Sequence, residues 1–335
     1  MNERERRPTL SDIARETSLS TAAVSYALRG LHVPEETQTR VREAAERLGY
    51  EVNPIARALA SGRTDTVGLL CGSLHDSWQQ AVVAALVSAL PQAGLRAIIV
   101  DAGSDPEHQL AEARRLVNQR VDAVIVMPID PAATEWRDIS DAVPVITVGD
   151  ALPRAAAAAQ VVYDNEFGVR DGLIHLAGLG HRHIAVLSPN DVHTPDRPAE
   201  DVARQVSREL GIQVSVHTAL HDLDSASATA REALQSPDPP TAFFGLADSM
   251  AWGVYAATAE LGLTIPDDVS VIGYDDTPVS RLLRPALTTY RWPMDELVEA
   301  VVGRTLKAVE GRGRSRKLVI SPTPVPRDST AAPSA

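Results

Sequence analysis

The sequence predicts an α/β protein in two parts: a small N-terminal all-α helix-turn-helix domain, and a long body of two doubly wound α/β subdomains. Three observations predict it. The first 64 residues carry apolar positions at helical spacing and no strand-like run. From Thr66 onward, short apolar runs alternate with amphipathic segments. That alternation then begins again partway along the chain, which argues two parallel-sheet units with a cleft between them.

The N-terminal elements follow in order. Thr9 or Ser11 can cap a first helix, with Asp12 in its first turn. Ile13, Ala14 and Thr17 share one face, and Ala14 is small where helices must cross closely. Thr17-Ser18-Leu19-Ser20 is a short turn with Leu19 as an apolar plug. Ser20 then caps a helix from Thr21 to Leu28, in which Val24 and Leu28 sit four apart. Two short helices joined by a tight turn place the second in a DNA major groove. Its outer face carries Thr21, Ala22, Ser25 and Tyr26. The competing reading is a helical bundle that binds protein. Val41, Ala44, Ala45 and Leu48 stripe a third helix that closes the core. Gly49-Tyr50 ends it, and Asn53-Pro54 opens a further segment whose helix is barely two turns long. A helix that short is marginal alone and needs a partner, either its own copy or DNA.

In the body, VGLLCG reads as a strand, QAVVAALVSALPQAG as a helix, RAIIVDAG as a strand and PEHQLAEARRLVNQR as a helix. DAVIVMP and VPVITVGD follow as strands. The second round runs AAQVVYDN, FGVRDGLIHLAGLG, HIAVLSP, PAEDVARQVSRELG, QVSVHTAL, SASATAREALQ, TAFFGLA, SMAWGVYAATAELG and VSVIGYDD, strand and helix in turn. Ligands in such sheets bind beyond the carboxyl ends of the strands. The last residues, AAPSA, are expected to be disordered.

The chain carries a net charge of −12. The split is uneven: residues 1–64 hold 10 arginines and nine acids, net +1, and the rest holds 22 bases and 35 acids, net −13. An acidic body disfavours nonspecific adhesion to nucleic acid, so any DNA affinity rests on placed arginines such as Arg4, Arg6, Arg7, Arg57 and Arg63 and on helix N-termini. A single cysteine, Cys71, excludes an internal disulfide and lies in an apolar run. The opening MNERERRPTL has no apolar leader, and no run reaches membrane-spanning length, so a cytosolic protein is expected.

The arm resembles that of the lactose-repressor (LacI/GalR) family of transcription factors. The resemblance rests on Thr9, Asp12, Ile13 and Ala14; on Ser20, Val24 and Ser25; and on Tyr50, Asn53, Ala56 and Leu59. In the body VDAVIVMP, LAGLGHRHIAVL, LGLTIPDDVSVIGYDD, PALTTYRW and RDST match in order, so the likeness spans about residues 9–330. It implies a type I periplasmic-binding-protein fold. The expected divisions are 1–52 for the helix-turn-helix domain, 53–64 for a hinge helix and 65–335 for ligand binding and dimerisation. Within the last, 65–163 with 292–321 would form one subdomain, and 164–291 with 322–330 the other. The implied function is a repressor in a homodimer on a near-palindromic double-stranded operator, controlled by a small polar effector, most often a sugar. The implied DNA contacts are Thr9, Ser11, Ser20, Thr21, Ala22, Ser25, Tyr26 and Thr37, with Asn53, Ala56 and Leu59 in the hinge. Leu59 from each subunit would wedge into the minor groove. Ala23 and Tyr26 stand where the family usually has Thr and Arg. Tyr26 cannot make the forked guanine contact of arginine, which points to a different half-site.

For the effector the likeness implies Arg197, in HTPDRPAED, and Asp275, which ends VIGYD. Such a pair suits a hydroxyl-rich ligand. Asp150, Trp78, Trp292 and Asp248 complete the candidates. Three departures mark a rebuilt pocket: Ala247 before Asp248 where relatives have Asn, Gly149 where some carry an acid, and the loop HDSWQQ at 75–80. No cofactor or metal is expected. Asp275-Asp276 as a catalytic pair and His181/His183 as a metal pair are disfavoured, since adjacent acids on a strand face opposite sides. The rivals are an activator of the same family, a solute-binding receptor without a DNA role, and an enzyme on the two-lobed fold.

Overall fold

The computed structural model describes residues 8–31, 33–50, 62–189, 198–313 and 317–334. The chain divides into two compact units, 1–64 and 65–335.

Among the described residues, the first unit holds three helices, α1 (Leu10–Thr17), α2 (Thr21–Leu28) and α3 (Glu35–Leu48). Their shared core is Ile13, Ala14, Val24, Ala27, Val41, Ala44 and Ala45, closed at its edge by Leu10, Leu19, Leu28, Leu48 and Tyr50. Asp12 receives both the Thr9 amide, at 2.9 Å, and the Thr9 hydroxyl, at 2.7 Å, which fixes the start of α1. The turn is made by Ser18 in the left-handed region, φ 53°, with the Leu19 amide donating back to the Ala14 carbonyl at 3.0 Å. Ser20 then caps α2 by accepting from the Ala23 amide at 3.1 Å. The expected hinge, 53–64, lies almost wholly outside the described residues.

The second unit contains two parallel sheets. The first has six strands in the order β11-β5-β4-β3-β1-β2: β1 (Thr66–Cys71), β2 (Arg96–Asp101), β3 (Ala123–Val126), β4 (Val145–Gly149), β5 (Ala159–Tyr163) and β11 (Leu318–Ile320). The second is β7-β6-β8-β9: β6 (His183–Ser188), β7 (Gln213–Thr218), β8 (Ala242–Gly245) and β9 (Ser270–Ile272). Every pairing within the two sheets is parallel. The central strands β1, β3, β4, β6 and β8 are almost entirely buried, which is why they read as continuous apolar runs. The restart of the sequence pattern at AAQVVY does not coincide with the new sheet, because β5 pairs with β4 and completes the first.

Helices cover both faces of each sheet. On the first these are α4 (Ser77–Ala89), α5 (Pro106–Asn118), α6 (Trp136–Ala142) and α11 (Met294–Val309). On the second they are α7 (Asn165–Leu179), α8 (Ala199–Leu210), α9 (Leu223–Leu234) and α10 (Asp248–Leu261). Leu86, Leu297 and Val301 pack one face of the first sheet, and Leu110, Leu116 and Ile139 the other. The chain leaves the first sheet after Tyr163 and returns through β10 (Thr289–Arg291) and α11. β10 pairs antiparallel with β12 (Thr323–Val325) in a separate ribbon.

Three sequence expectations are corrected here. A helix, α6, lies between β3 and β4 where strands alone were read; it is anchored by buried Trp136, whose indole donates to the Asp130 carbonyl at 2.9 Å. The stretch 75–80 is not all loop, since Asp76 caps α4 from Ser77 by accepting the Trp78 and Gln79 amides. Residues 331–334 of the tail are placed rather than disordered. Ala331 donates to the Ser270 hydroxyl at 3.0 Å and its carbonyl meets His181 Nε2 at 3.0 Å, while the Ser334 hydroxyl donates to the Asp267 carbonyl.

Candidate ligand cavity and nucleic-acid interface

On α2, capping by Ser20 leaves Thr21, Ala22 and Tyr26 exposed and Ser25 half-buried, a short polar ridge beside the core-facing Val24 and Ala27. Tyr26 is 43% exposed, and the Arg29 guanidinium sits 5.3 Å from its ring centre. Arg29 also donates to the Ser25 carbonyl at 3.3 Å. The guanidinium of Arg29 is thus held over Tyr26, the position at which the likeness implied an arginine. Ser11 is exposed, and Thr37 is half-buried in the first turn of α3. Thr9 is exposed too, with its hydroxyl proton spent on Asp12. Asn53, Ala56 and Leu59 lie outside the described residues.

In the second unit, a cavity of about 560 Å³ opens where the carboxyl ends of the parallel strands of both sheets converge. Trp78, Asp150, Asp275 and Trp292 line it, as do Asp76, Tyr163, Tyr274 and His221, which sequence reasoning had not singled out. Arg197 lies outside the described residues, directly before the lining Pro198.

One wall is aromatic. Tyr163 and Trp292 stack with centroids 4.5 Å apart, Trp78 meets Tyr163 edge-on at 6.0 Å, and Tyr274 meets Trp292 at 5.4 Å. The Trp78 indole donates to the Tyr163 hydroxyl at 3.1 Å, and the Trp292 indole donates to Asp275 Oδ1 at 3.3 Å. Burial pushes the Tyr163 phenol well above its ordinary range. Gly149 holds φ at +93°, and a side chain there would press on the Tyr163 ring, at 3.1 Å from its nearest atom. Glycine at this position is therefore tied to the aromatic wall.

The carboxylates differ in environment. Asp275 and Asp276, just after β9, both adopt positive φ, 112° and 50°. Asp275 lines the cavity. Asp276 turns away to pair with Arg291 at 2.6 Å and with Arg327. Burial pushes the Asp275 carboxyl well above the usual carboxylate range, and the charges of Asp248 and Asp76 push the same way. Asp76 is spent on the α4 cap and faces His221 Nδ1 at 3.8 Å.

Asp248 is placed differently from the other candidates. It is fully buried and is not among the cavity-lining residues. Its Oδ2 accepts from the Thr277 amide at 2.7 Å and from the hydroxyls of Thr277 and Ser280, and its Oδ1 accepts from the Thr289 hydroxyl at 2.6 Å. The carboxylate also occupies the space where a Gly273 side chain would begin, 2.4 Å from that point. Asp248 therefore ties the segment after β9 to β10, behind Asp275.

Comparison with known proteins fits this geometry. Residues 9–53 match the model of bacterial regulatory proteins, lacI family, and residues 173–330 match a periplasmic binding protein-like domain. The HTH-type transcriptional repressor PurR of Klebsiella pneumoniae is 30% identical, over 96% of this chain and 97% of its own. The chain belongs to the lacI family. A second relative, catabolite control protein A of Priestia megaterium, is 27% identical over 86% of this chain and 89% of its own. Among solved structures, the lac repressor dimer bound to operator and the anti-inducer ONPF superposes with a TM-score of 0.87 at 26% identity, covering 98% of this chain and 100% of that one. Like other members, the chain is thus a DNA-binding transcription regulator carrying a helix-turn-helix and a periplasmic-binding-protein-like body.

Proposed function

We propose that this chain is a homodimeric repressor whose operator affinity is set by a small effector bound in the cavity between the two sheets. The observation that carries the reading is the pairing, in one chain, of an exposed recognition ridge on α2 with a walled cavity at the strand ends. An aromatic wall beside carboxylates suits a ring compound bearing hydroxyls, such as a sugar or sugar derivative: rings cover its apolar face and carboxylates accept its hydroxyls. The edge strand β2 exposes Ile98 and Ile99, apolar surface that a second copy would cover. In the dimer, the ridges would enter successive major grooves, and Asn53, Ala56 and Leu59 would serve the minor groove between them. The division at 1–52, 53–64 and 65–335 is part of this proposal.

The test is selection of random duplexes on the purified chain at physiological salt, with and without a bacterial metabolite extract. Enrichment of a near-palindrome with a fixed centre supports a dimeric reader. Enrichment of a single half-site, or of none under both conditions, contradicts it.

A further inference from the structure

We infer that the effector carries a cationic amino group on a hydroxyl-bearing ring, with the ammonium taken by Asp275 beside the Trp78, Tyr163 and Trp292 rings. This deepens the reading above and rests on the cavity being the effector site.

The first ground is charge. Five carboxylates line the cavity, Asp76, Asp150, Glu200, Asp222 and Asp275, and no lysine or arginine does so among the described residues. The only basic groups among them are the imidazoles of His75 and His221. Arg197 lies outside the described residues, and even counted in full its one charge leaves the carboxylates in excess.

The second ground is that three of the other four acids, Glu200, Asp222 and Asp76, have employment and Asp275 has little. Glu200 pairs with Arg204 at 3.4 Å, and Asp222 caps α9 through the Ser225 amide at 2.7 Å. Asp76 caps α4 and faces His221. Asp275 makes no ion pair among the described residues, and its side chain accepts the Trp292 indole at 3.3 Å. A carboxylate set among rings, with like charges nearby, is costly to keep ionised. Its raised carboxyl range follows from that setting. An ammonium supplied by the ligand restores the balance, and the electron-rich ring faces add to the attraction for a cation.

The third ground is an unsatisfied polar atom. Among the described residues, His221 Nδ1 is buried without a hydrogen-bond partner, and His221 lines the cavity, whereas the Tyr274 hydroxyl, also unpartnered, is packed against Gly168. Buried polar groups left unpaired are rare, and a hydroxyl on the ligand would serve His221. An anionic ligand would instead add a like charge to five carboxylates.

The test uses the full-length chain on its selected operator. A bacterial small-molecule extract is separated by ion exchange at neutral pH into cationic, neutral and anionic fractions. Each fraction is then titrated against operator affinity. The expected result is a change of about tenfold with the cationic fraction alone. Acetylating the amines of that fraction should abolish the change, and Asp275→Asn should blunt it. A response confined to the neutral or anionic fraction overturns the charge assignment and leaves effector control standing. Persistence after acetylation, or an Asp275→Asn response equal to wild type, overturns the ammonium–Asp275 contact. No response to any fraction overturns effector control itself.

Discussion

At the scale of single residues, two buried polar groups define what the second unit tolerates. Asp248 accepts three hydroxyls and an amide from segments that meet only in the folded chain. Asp248→Ala strands those donors without water, so it should destabilise by on the order of 3 kcal/mol, read as a lower urea midpoint. An unchanged midpoint would show that the donors find other partners. His181 sits between the Thr241 hydroxyl at 2.8 Å and the Ala331 carbonyl at 3.0 Å. Burial holds its imidazole below the usual histidine value of 6.5, and His217 shifts the same way for the same reason. The folded chain therefore takes up these protons less readily than the unfolded chain. Their contribution is complete above the unfolded value and is lost as pH falls through the folded one. Denaturant midpoints should drop as pH falls below the usual histidine value of 6.5. His181→Gln should flatten part of that slope, and an identical slope in the variant would contradict the assignment.

At the scale of elements, α2 depends on its cap. Ser20 satisfies the Ala23 amide, so Ser20→Ala should cost the helical unit about 1 kcal/mol and weaken operator binding in proportion. Circular dichroism melts and operator titration check both effects. The elements were legible where burial is two-sided: VGLLC, AVIV and HIAVL are central strands and read as apolar runs. The three helices of the first unit were legible because their core positions recur at helical spacing. α6 was not, because four of its seven residues are polar and only Trp136 and Ile139 anchor it. The tail was not, because AAPSA has no pattern of its own and is fixed by distant partners, Ser270 and His181. In the cavity, Trp78, Asp150, Asp275 and Trp292 followed from likeness and from the rule that ligands lie beyond strand ends. Asp248 follows a strand too, but turns inward to hydroxyls that no local spacing reveals. Asp76 and Tyr163 were passed over, although a cap ahead of an apolar helix and an aromatic ending a strand were both visible signals.

At the scale of the whole molecule, the charge split between a near-neutral arm and an acidic body matters for selectivity. With a net +1 over 1–64 against −13 over the remainder, nonspecific attraction to phosphates is weak. In the proposed dimer, specific binding would depend on the ridge on α2 and on two arms acting together, and would thereby be sensitive to how the body is arranged. A ligand shifts that arrangement only by as much as it prefers one state of the body, and operator and effector must affect each other by the same factor. The most direct test of the central claim is operator affinity measured on the purified chain with and without a saturating amount of the active metabolite fraction. The account predicts a change of at least about fivefold, whose sign reveals whether the effector releases or recruits the operator. Equal affinity in the two conditions would contradict it.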